Sequence, residues 1–298
     1  MDEIESKEVR LAVLIDADNI SYHYIEPMMQ EIARYGTPTI KRIYGDWTKP
    51  NLNGWKSLLL DYAISPVQQF AYTTGKNSTD SALIIDAMDI LYSEKADAFC
   101  LVSSDSDFTR LAGRLREAGK TVYGIGEQKT PNAFIAACDR FIYLEILDQE
   151  EDDEDNEDSS DEKANSDRGE KVSSKARSNS RSKSSKESKE KTNNKGRQKR
   201  VLKKIDHRLL NLIDQSILDI EDDDGWAYLG DLGQLIGKKQ PAFDSRNYGF
   251  AKLSTLIGSL EQYEMQYREM PRGGGQEKQL FVRVKDDPTR IKKNERAF

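Results

Sequence analysis

The sequence predicts an α/β domain with a parallel sheet, followed by a small winged helix-turn-helix domain. First, continuous apolar runs alternate with amphipathic stretches over residues 9–148, as in buried parallel strands joined by helices. Second, a strongly charged segment at 149–200 separates two parts of ordinary composition. Third, helical stretches after residue 201 lead into two strands around a Gly-rich turn. We therefore expect domains at 9–148 and 201–286, a linker at 149–200 and a tail at 287–298.

The elements of the first domain follow from the period of its apolar residues. LAVLIDADN is a continuous apolar run, as expected of a strand that is buried on both faces. Gly36 is a stop signal for a helix over 25–35, and Ser78 or Thr79 caps a later one. Further strands are predicted at IKRIYGDW, PVQQFAY, ADAFCLVSS, TVYGIGE and FIYLEIL, and further helices at GWKSLLLDYAI, STDSALIIDAMDILYSE, DFTRLAGRLREAG and 131–137.

The second domain shows helical periodicity first and strand signals afterwards. LLNLIDQSILDI reads as an amphipathic helix, and GWAYLGDLGQLIGKKQPAFD as a short segment, a helix and a turn. RNYGFAKLSTLIGSLEQY, residues 246–263, reads as one helix with its leucines and Ile257 on one side. YEMQYREMPRGGGQEKQLFVRV reads as two strands around a wing. This order favours a winged helix-turn-helix.

Composition excludes several classes of protein. The chain has 298 residues, of which 37% are hydrophobic and 33% charged, and it contains no apolar run of about 18 residues that would span a membrane. The N-terminus lacks the apolar segment of a signal peptide. Cys100 and Cys138 lie in apolar stretches, which favours buried free thiols in the reducing cytoplasm. His23 and His207 have no partners at zinc-site spacing, so zinc is excluded.

The net charge of −7 hides a strong segregation of charge. Residues 150–162 form an acidic block, and residues 171–204 are rich in Lys and Arg. Both stretches have few large apolar residues, so we expect a disordered linker between domains that move independently. The basic half is either a solvated spacer or a tail that attracts phosphates without regard to sequence.

Aspartates follow several predicted strands of the first domain. Asp16 and Asp18 follow the first strand, Asp80 opens the helix after the third, and Asp105 and Asp107 follow the fourth. The carboxyl ends of parallel strands share one edge, where ligands bind. Any one of these residues could simply cap a helix. Together they repel one another unless a cation joins them, and oxygen-only ligands favour Mg²⁺ or Mn²⁺.

A second candidate site is weaker. Gly124 and Gly126 follow a predicted strand, as in a dinucleotide-binding loop, but the third glycine is absent. A tight turn explains them better.

The motifs IDADN, KNSTDSALIIDAMD and LVSSDSDFTRLAGRLREAGKTVYGIG resemble those of NYN domains, members of the PIN-like ribonuclease superfamily, over residues 9–147. The resemblance implies a Rossmann-like three-layer fold and metal-dependent cleavage of phosphodiesters, usually of RNA. Asp18 ranks lower, and Asp86 is either a supporting acid or a solvent-facing helix residue. Ser104 stands where Gly is common, and NST between Lys76 and Asp80 departs from the usual approach. The implied catalytic residues are Asp16, Asn19, Asp80, Asp105 and Asp107, and the four aspartates are the implied metal ligands.

DGWAYLGDLGQLI and PAFDSRNYGFAKLSTLI resemble the OST-HTH/LOTUS domain, over about residues 203–285. The resemblance implies RNA binding or, in some members, docking onto a protein partner. Arg246, Tyr248 and Lys252 are either ordinary surface and core residues or contacts of a recognition helix. The candidate nucleic-acid-binding residues are Lys238, Lys239, Arg246, Lys252, Arg272 and Lys278.

Two classes of function follow. The chain is a metal-dependent ribonuclease whose OST-HTH module recruits RNA, or a non-catalytic RNA-binding or regulatory adaptor that uses the NYN domain as a scaffold. The complete acidic set favours the enzyme, with RNA as a partner, a possible protein partner and no membrane.

Overall fold

The computed structural model describes residues 8–70, 78–149, 202–272 and 275–285. The predicted tail, and all of the predicted linker except Gln149, lie outside the described residues. No helix of the described part is both long enough and apolar enough to cross a bilayer.

The first domain is built on a parallel sheet, as the sequence predicts. Its strands lie in the order β3-β2-β1-β4-β5-β6, and all neighbouring pairs are parallel. The order of the strands reverses between β1 and β4, which is the position where open sheets of this kind bind ligands. The strands are β1 Arg10–Asp16, β2 Thr37–Gly45, β3 Ser65–Gln68, β4 Ala98–Val102, β5 Thr121–Gly126 and β6 Arg140–Tyr143.

Helices connect these strands. The central strand β1 is apolar from Leu11 to Ile15, and all five side chains are fully buried. Such complete burial is typical of a strand covered on both faces by helices. The helices are α1 Ile25–Ala33, α2 Asn53–Asp61, α3 Ser78–Tyr92, α4 Thr109–Glu117 and α5 Asn132–Ala137, with short 3-10 helices at Tyr22–Tyr24, Pro50–Leu52, Ser106–Phe108 and Leu144–Gln149.

The second domain has helices and a three-stranded antiparallel sheet in the order β7-β9-β8. The long strands β8 and β9 pair along their full lengths, which gives the predicted wing. The core joins both layers through residues such as Ile213, Ile236, Leu256 and Val282. The elements are α6 His207–Leu218, β7 Ala227–Tyr228, α7 Leu229–Lys239, α8 Leu253–Gly258, β8 Tyr263–Arg272 and β9 Gly275–Val284.

The prediction of one continuous helix over 246–263 is wrong. The segment holds a 3-10 helix at Ser245–Tyr248 and the short helix α8. Gly249 separates them because its φ of +89° lies in the left-handed region, which ends a helix.

The two domains contact each other directly, which the sequence did not predict. The buried Glu31 carboxylate of α1 accepts two hydrogen bonds from the Arg246 guanidinium, each of 3.0 Å. The Phe141 N–H of the edge strand β6 donates to the Pro241 carbonyl at 2.9 Å. Ala242 joins the hydrophobic core of the first domain. Independent movement of the two domains would have to break these contacts.

Candidate metal centre

Three carboxylates converge at the carboxyl end of the sheet. Oxygens of Asp80, Asp105 and Asp107 all lie within 4.8 Å of one another. Asp80 is in the first turn of α3, and the other two follow β4. Asp80 is buried, Asp105 is half-buried and Asp107 is exposed, so the cluster opens toward solvent on one side. We call these three residues the acidic triad.

Asp16 lies beside the acidic triad rather than within it. It is the last residue of β1 and is completely buried. Its Oδ2 accepts hydrogen bonds from Asn19 Nδ2 at 2.5 Å and from Ser103 Oγ at 2.9 Å. Its Oδ1 accepts from the Asp18 N–H at 3.1 Å. Burial raises the pKa of this carboxyl group, while these hydrogen bonds act in the opposite direction.

The pKa of Asp80 shows that the four acids act on one another. Burial, followed by the charges of Asp16, Asp105 and Asp107, raises it from 3.8 to about 6. A carboxylate that must ionise next to like charges is destabilised, and a cation at the same place would remove the penalty. The cluster is therefore an unfavourable arrangement for the protein alone and a favourable one for a bound cation.

Asp105 has two roles. Its Oδ1 accepts from the Asp107 N–H at 2.9 Å and caps the 3-10 helix Ser106–Phe108. This cap fixes the turn that brings Asp107 back toward Asp80. Asp105 thus caps this helix and belongs to the acidic triad as well.

The lower-ranked acids have local partners. Asp18 is exposed and its Oδ2 accepts from Thr79 Oγ1 at 3.1 Å. Asp86 is bound by Arg42 and by the Tyr44 hydroxyl. Asp86 is therefore an ion-pair partner within the fold rather than a solvent-facing helix residue, and its role as a supporting acid stays a prediction.

Sequence reasoning missed the role of Ser103. This buried side chain donates to Asp16 and its Oγ accepts from the Asp105 N–H at 3.1 Å, so it links the two strand ends. The available signal was its place between a buried strand and two aspartates.

The candidate nucleic-acid-binding residues divide into two groups. Arg246 is bound to Glu31 and Asp244, and Lys239 is bound to Asp219 at 2.5 Å. Lys238, Lys252 and Lys278 are exposed. Arg272 lies in β8, but its side chain is outside the described residues. Arg246 thus takes part in the contact between the domains.

The prediction of a tight turn at Gly124 and Gly126 is wrong, because both residues lie in β5 and pack closely within the fold. A Cβ at Gly124 would lie 2.5 Å from the Phe141 ring, and one at Gly126 would lie 2.5 Å from the Ser103 carbonyl oxygen. Packing against these neighbours therefore requires glycine at both positions.

Comparisons with known proteins agree with this geometry. Residues 10–145 match the model of the NYN domain, and residues 200–273 match the model of the OST-HTH/LOTUS domain. NYN domains belong to the PIN-like nuclease superfamily, which is generally dependent on divalent metals, and OST-HTH/LOTUS domains are RNA-binding. The fold and the acidic triad therefore support a nuclease-type, RNA-related role. The chain therefore contains an NYN domain followed by an OST-HTH/LOTUS domain.

Solved structures with partial similarity come from three bacteria. A protein of unknown function from Vibrio parahaemolyticus is 20% identical, with 47% of this chain and 94% of that chain covered and a TM-score of 0.39. An uncharacterized protein from Nitrosomonas europaea is 32% identical, with 34% and 93% covered and a TM-score of 0.26. A protein from Chromobacterium violaceum is 29% identical, with 29% and 90% covered and a TM-score of 0.23. No curated protein matches the chain.

Proposed function

We propose that the protein is a metal-dependent ribonuclease that hydrolyses RNA phosphodiester bonds, with the OST-HTH domain recruiting the RNA. The observation that carries this proposal is the convergence of Asp80, Asp105 and Asp107 at the point where the strand order reverses. Asp16 at the end of β1 completes the acidic edge.

The donor set fits a hard divalent cation. The acidic triad offers only carboxylate oxygens, which suit Mg²⁺ or Mn²⁺, and the pKa of Asp80 is raised by burial and then by the neighbouring negative charges. When bound, such an ion supplies activation of a water molecule and neutralisation of charge on the scissile phosphate. We assign Asp80, Asp105 and Asp107 as the ligands of the ion, and Asp16 as the buried carboxylate beside them.

The chain's own residues would prepare this site before RNA arrives. Ser103 and Asn19 hold the Asp16 carboxylate in one orientation by donating to the same oxygen. The cap made by Asp105 holds the turn that carries Asp107. These hydrogen bonds reduce the reorganisation needed when the site is loaded, which is the general advantage of a preorganised polar site.

RNA recruitment is assigned to the C-terminal domain because the acidic edge repels phosphates. Lys238, Lys252 and Lys278 are exposed on that domain. The basic stretch 171–204 precedes it in the sequence and would add attraction that does not depend on base sequence. Binding there raises the local concentration of RNA at the acidic edge.

The two cysteines support a reducing compartment. Cys100 and Cys138 are both free and buried, and burial raises the pKa of the Cys138 thiol to about 12. Such thiols are unreactive. We therefore place the protein in the cytoplasm as part of this proposal.

The test is degradation of a labelled RNA by the purified chain with Mg²⁺, with Mn²⁺ or with EDTA. Asp105→Asn is expected to abolish metal-dependent cleavage while the domain stays folded. The matched control is Asp61→Asn, which changes an exposed carboxylate at the end of α2 and should leave the rate unchanged. Equal cleavage by the Asp105→Asn variant would refute the assignment. RNA binding without cleavage under any condition would favour the non-catalytic adaptor.

A further inference from the structure

The sheet of the OST-HTH domain has one face in the core and one face outside it. Ala227, Tyr263 and Val282 belong to the hydrophobic core of this domain. Because side chains alternate along a strand, their neighbours Trp226, Tyr228 and Phe281 project from the opposite face. The Tyr228 and Phe281 rings lie 5.7 Å apart, centre to centre. We call this surface the outer sheet face.

Two arginines cover the aromatic rings of the outer sheet face. The Arg268 guanidinium carbon lies 5.1 Å from the centre of the Trp226 ring and 4.7 Å from the centre of the Phe281 ring. The Arg283 guanidinium carbon lies 4.6 Å from the centre of the Trp226 ring. Trp226 and Phe281 are thereby almost entirely shielded from solvent. The arginines themselves remain partly exposed, with 28% and 39% of their side-chain surfaces accessible.

Carboxylates fix both guanidinium groups in place. Asp222 accepts from Arg268 at 2.8 Å, and Glu264 accepts from Arg283 at 2.8 Å. Each guanidinium thus contacts both an aromatic ring and a carboxylate, and these contacts restrain its position. Each arginine is paired with one carboxylate, so each pair has no net charge. The surface therefore offers preset planar groups rather than an excess of positive charge.

The surface expected to bind RNA is used in another way. Arg246, in the region predicted as the recognition helix, is buried against Glu31 of the first domain. Lys239 is paired with Asp219. In the arrangement described, Arg246 is therefore unavailable to RNA and the charge of Lys239 is neutralised, which leaves room for a second RNA-binding surface on this domain.

We propose that the outer sheet face binds single-stranded RNA, with bases stacked on the exposed sides of the Arg268 and Arg283 guanidinium groups. Unpaired bases stack on aromatic rings and on arginine planes, whereas the bases of a duplex are not accessible. This inference rests on the proposed role of the domain in RNA recruitment. It adds to that role the surface that binds, the single-stranded class of RNA and the stacking of bases on arginine.

The test measures the affinity of the full chain for a fluorescent single-stranded oligouridine, and for an RNA duplex of equal length, in EDTA. The Arg268→Lys/Arg283→Lys variant keeps both positive charges and removes both planar groups. We expect its affinity for the single strand to fall on the order of tenfold or more, with little change in salt dependence. The Lys238→Gln/Lys252→Gln variant removes two exposed charges elsewhere and is expected to flatten the salt dependence instead.

The outcomes separate this inference from the proposed function. Unchanged affinity of the Arg268→Lys/Arg283→Lys variant, or preference for the duplex, would overturn the outer sheet face as the site. Absence of any RNA binding by the full chain would overturn both this inference and RNA recruitment, and would favour protein docking. Loss of cleavage with intact binding would affect only the nuclease. Thermal denaturation checks each variant, and the single variants Arg268→Lys and Arg283→Lys provide the test where the double variant is unfolded.

Discussion

Replacing Arg246 with Met is expected to loosen the two domains from each other. The substitution keeps much of the aliphatic length and removes the guanidinium that holds Glu31 across the contact. Glu31 has only 2% of its side-chain surface exposed, and Arg246 has 15%. Removing one partner of such a buried pair leaves the other charge without compensation.

The size of the effect follows from the pKa of Glu31. Burial acts to raise it, but hydrogen bonds from Arg246 and Tyr35 and the charge of Arg246 lower it from 4.5 to about 2. That difference corresponds to about 3 kcal/mol of stabilisation of the folded carboxylate. Arg34 and Tyr35 also donate to Glu31, at 2.8 and 2.6 Å, and they remain in the variant. We therefore expect Arg246→Met to cost about 2 kcal/mol, within the range for broken buried pairs.

The assay is urea denaturation at pH 7, followed by circular dichroism. The variant should show a lower midpoint or two separate transitions. Arg34→Met is the matched control, because Arg34 pairs with the same carboxylate from an exposed position just after α1 and should cost less than about 1 kcal/mol. The pKa of Glu31 is lowered on folding. The contribution of its carboxylate to the stability of the wild type should therefore be complete above pH 4.5 and be lost as the pH falls toward 2. An Arg246→Met variant with wild-type stability and the same acid sensitivity would refute this reasoning.

Three further results are expected. The pKa of Asp80 is raised to about 6 in the folded chain. Ionisation of Asp80 therefore destabilises the fold increasingly from about pH 4 to pH 6, and the full penalty applies above pH 6. Asp80→Asn should then stabilise the metal-free chain by up to about 3 kcal/mol at pH 7.5 and much less at pH 4, in paired urea denaturations. Mg²⁺ or Mn²⁺ should raise the melting temperature of the wild type and not of Asp105→Asn; equal shifts would place the ion elsewhere. Gly249→Ala should cost about 1–2 kcal/mol because φ is +89° there, whereas Gly237→Ala inside α7 should be neutral or stabilising.

The alternation of apolar runs and amphipathic stretches was sufficient to predict the parallel sheet and its helices. Strands such as β1 are buried on both faces, so their composition alone distinguishes them from helices on the surface. The break at Gly249 was not predicted because the apolar residues on both sides keep a helical spacing. The backbone conformations of Gly249, which is left-handed, and of Lys252, which is extended, decide the outcome there.

The acidic edge was predicted because parallel strands bring their carboxyl ends together, whatever the loops do. The separate positions of the carboxylates at this edge could not be predicted from the sequence. Asp16 is withdrawn beside the acidic triad by Ser103 and Asn19, and Asp107 is brought in by the Asp105 cap. The bond from Ser103 to Asp16 joins segments 87 residues apart, and the two local bonds depend on side-chain orientations that the sequence pattern does not specify. The same limitation applies to Arg246, whose partner Glu31 lies 215 residues away.

The hydrogen bond from the Phe141 N–H to the Pro241 carbonyl has a consequence for the domains taken separately. An edge strand with unpaired backbone groups is a template for association with another chain. At the opposite edge of the sheet, β3 contains Pro66, which has no N–H to offer. At β6 this protection comes from the second domain instead. An NYN fragment ended at residue 148 would expose the edge of β6 and tend to self-associate, so the second domain protects the first from aggregation.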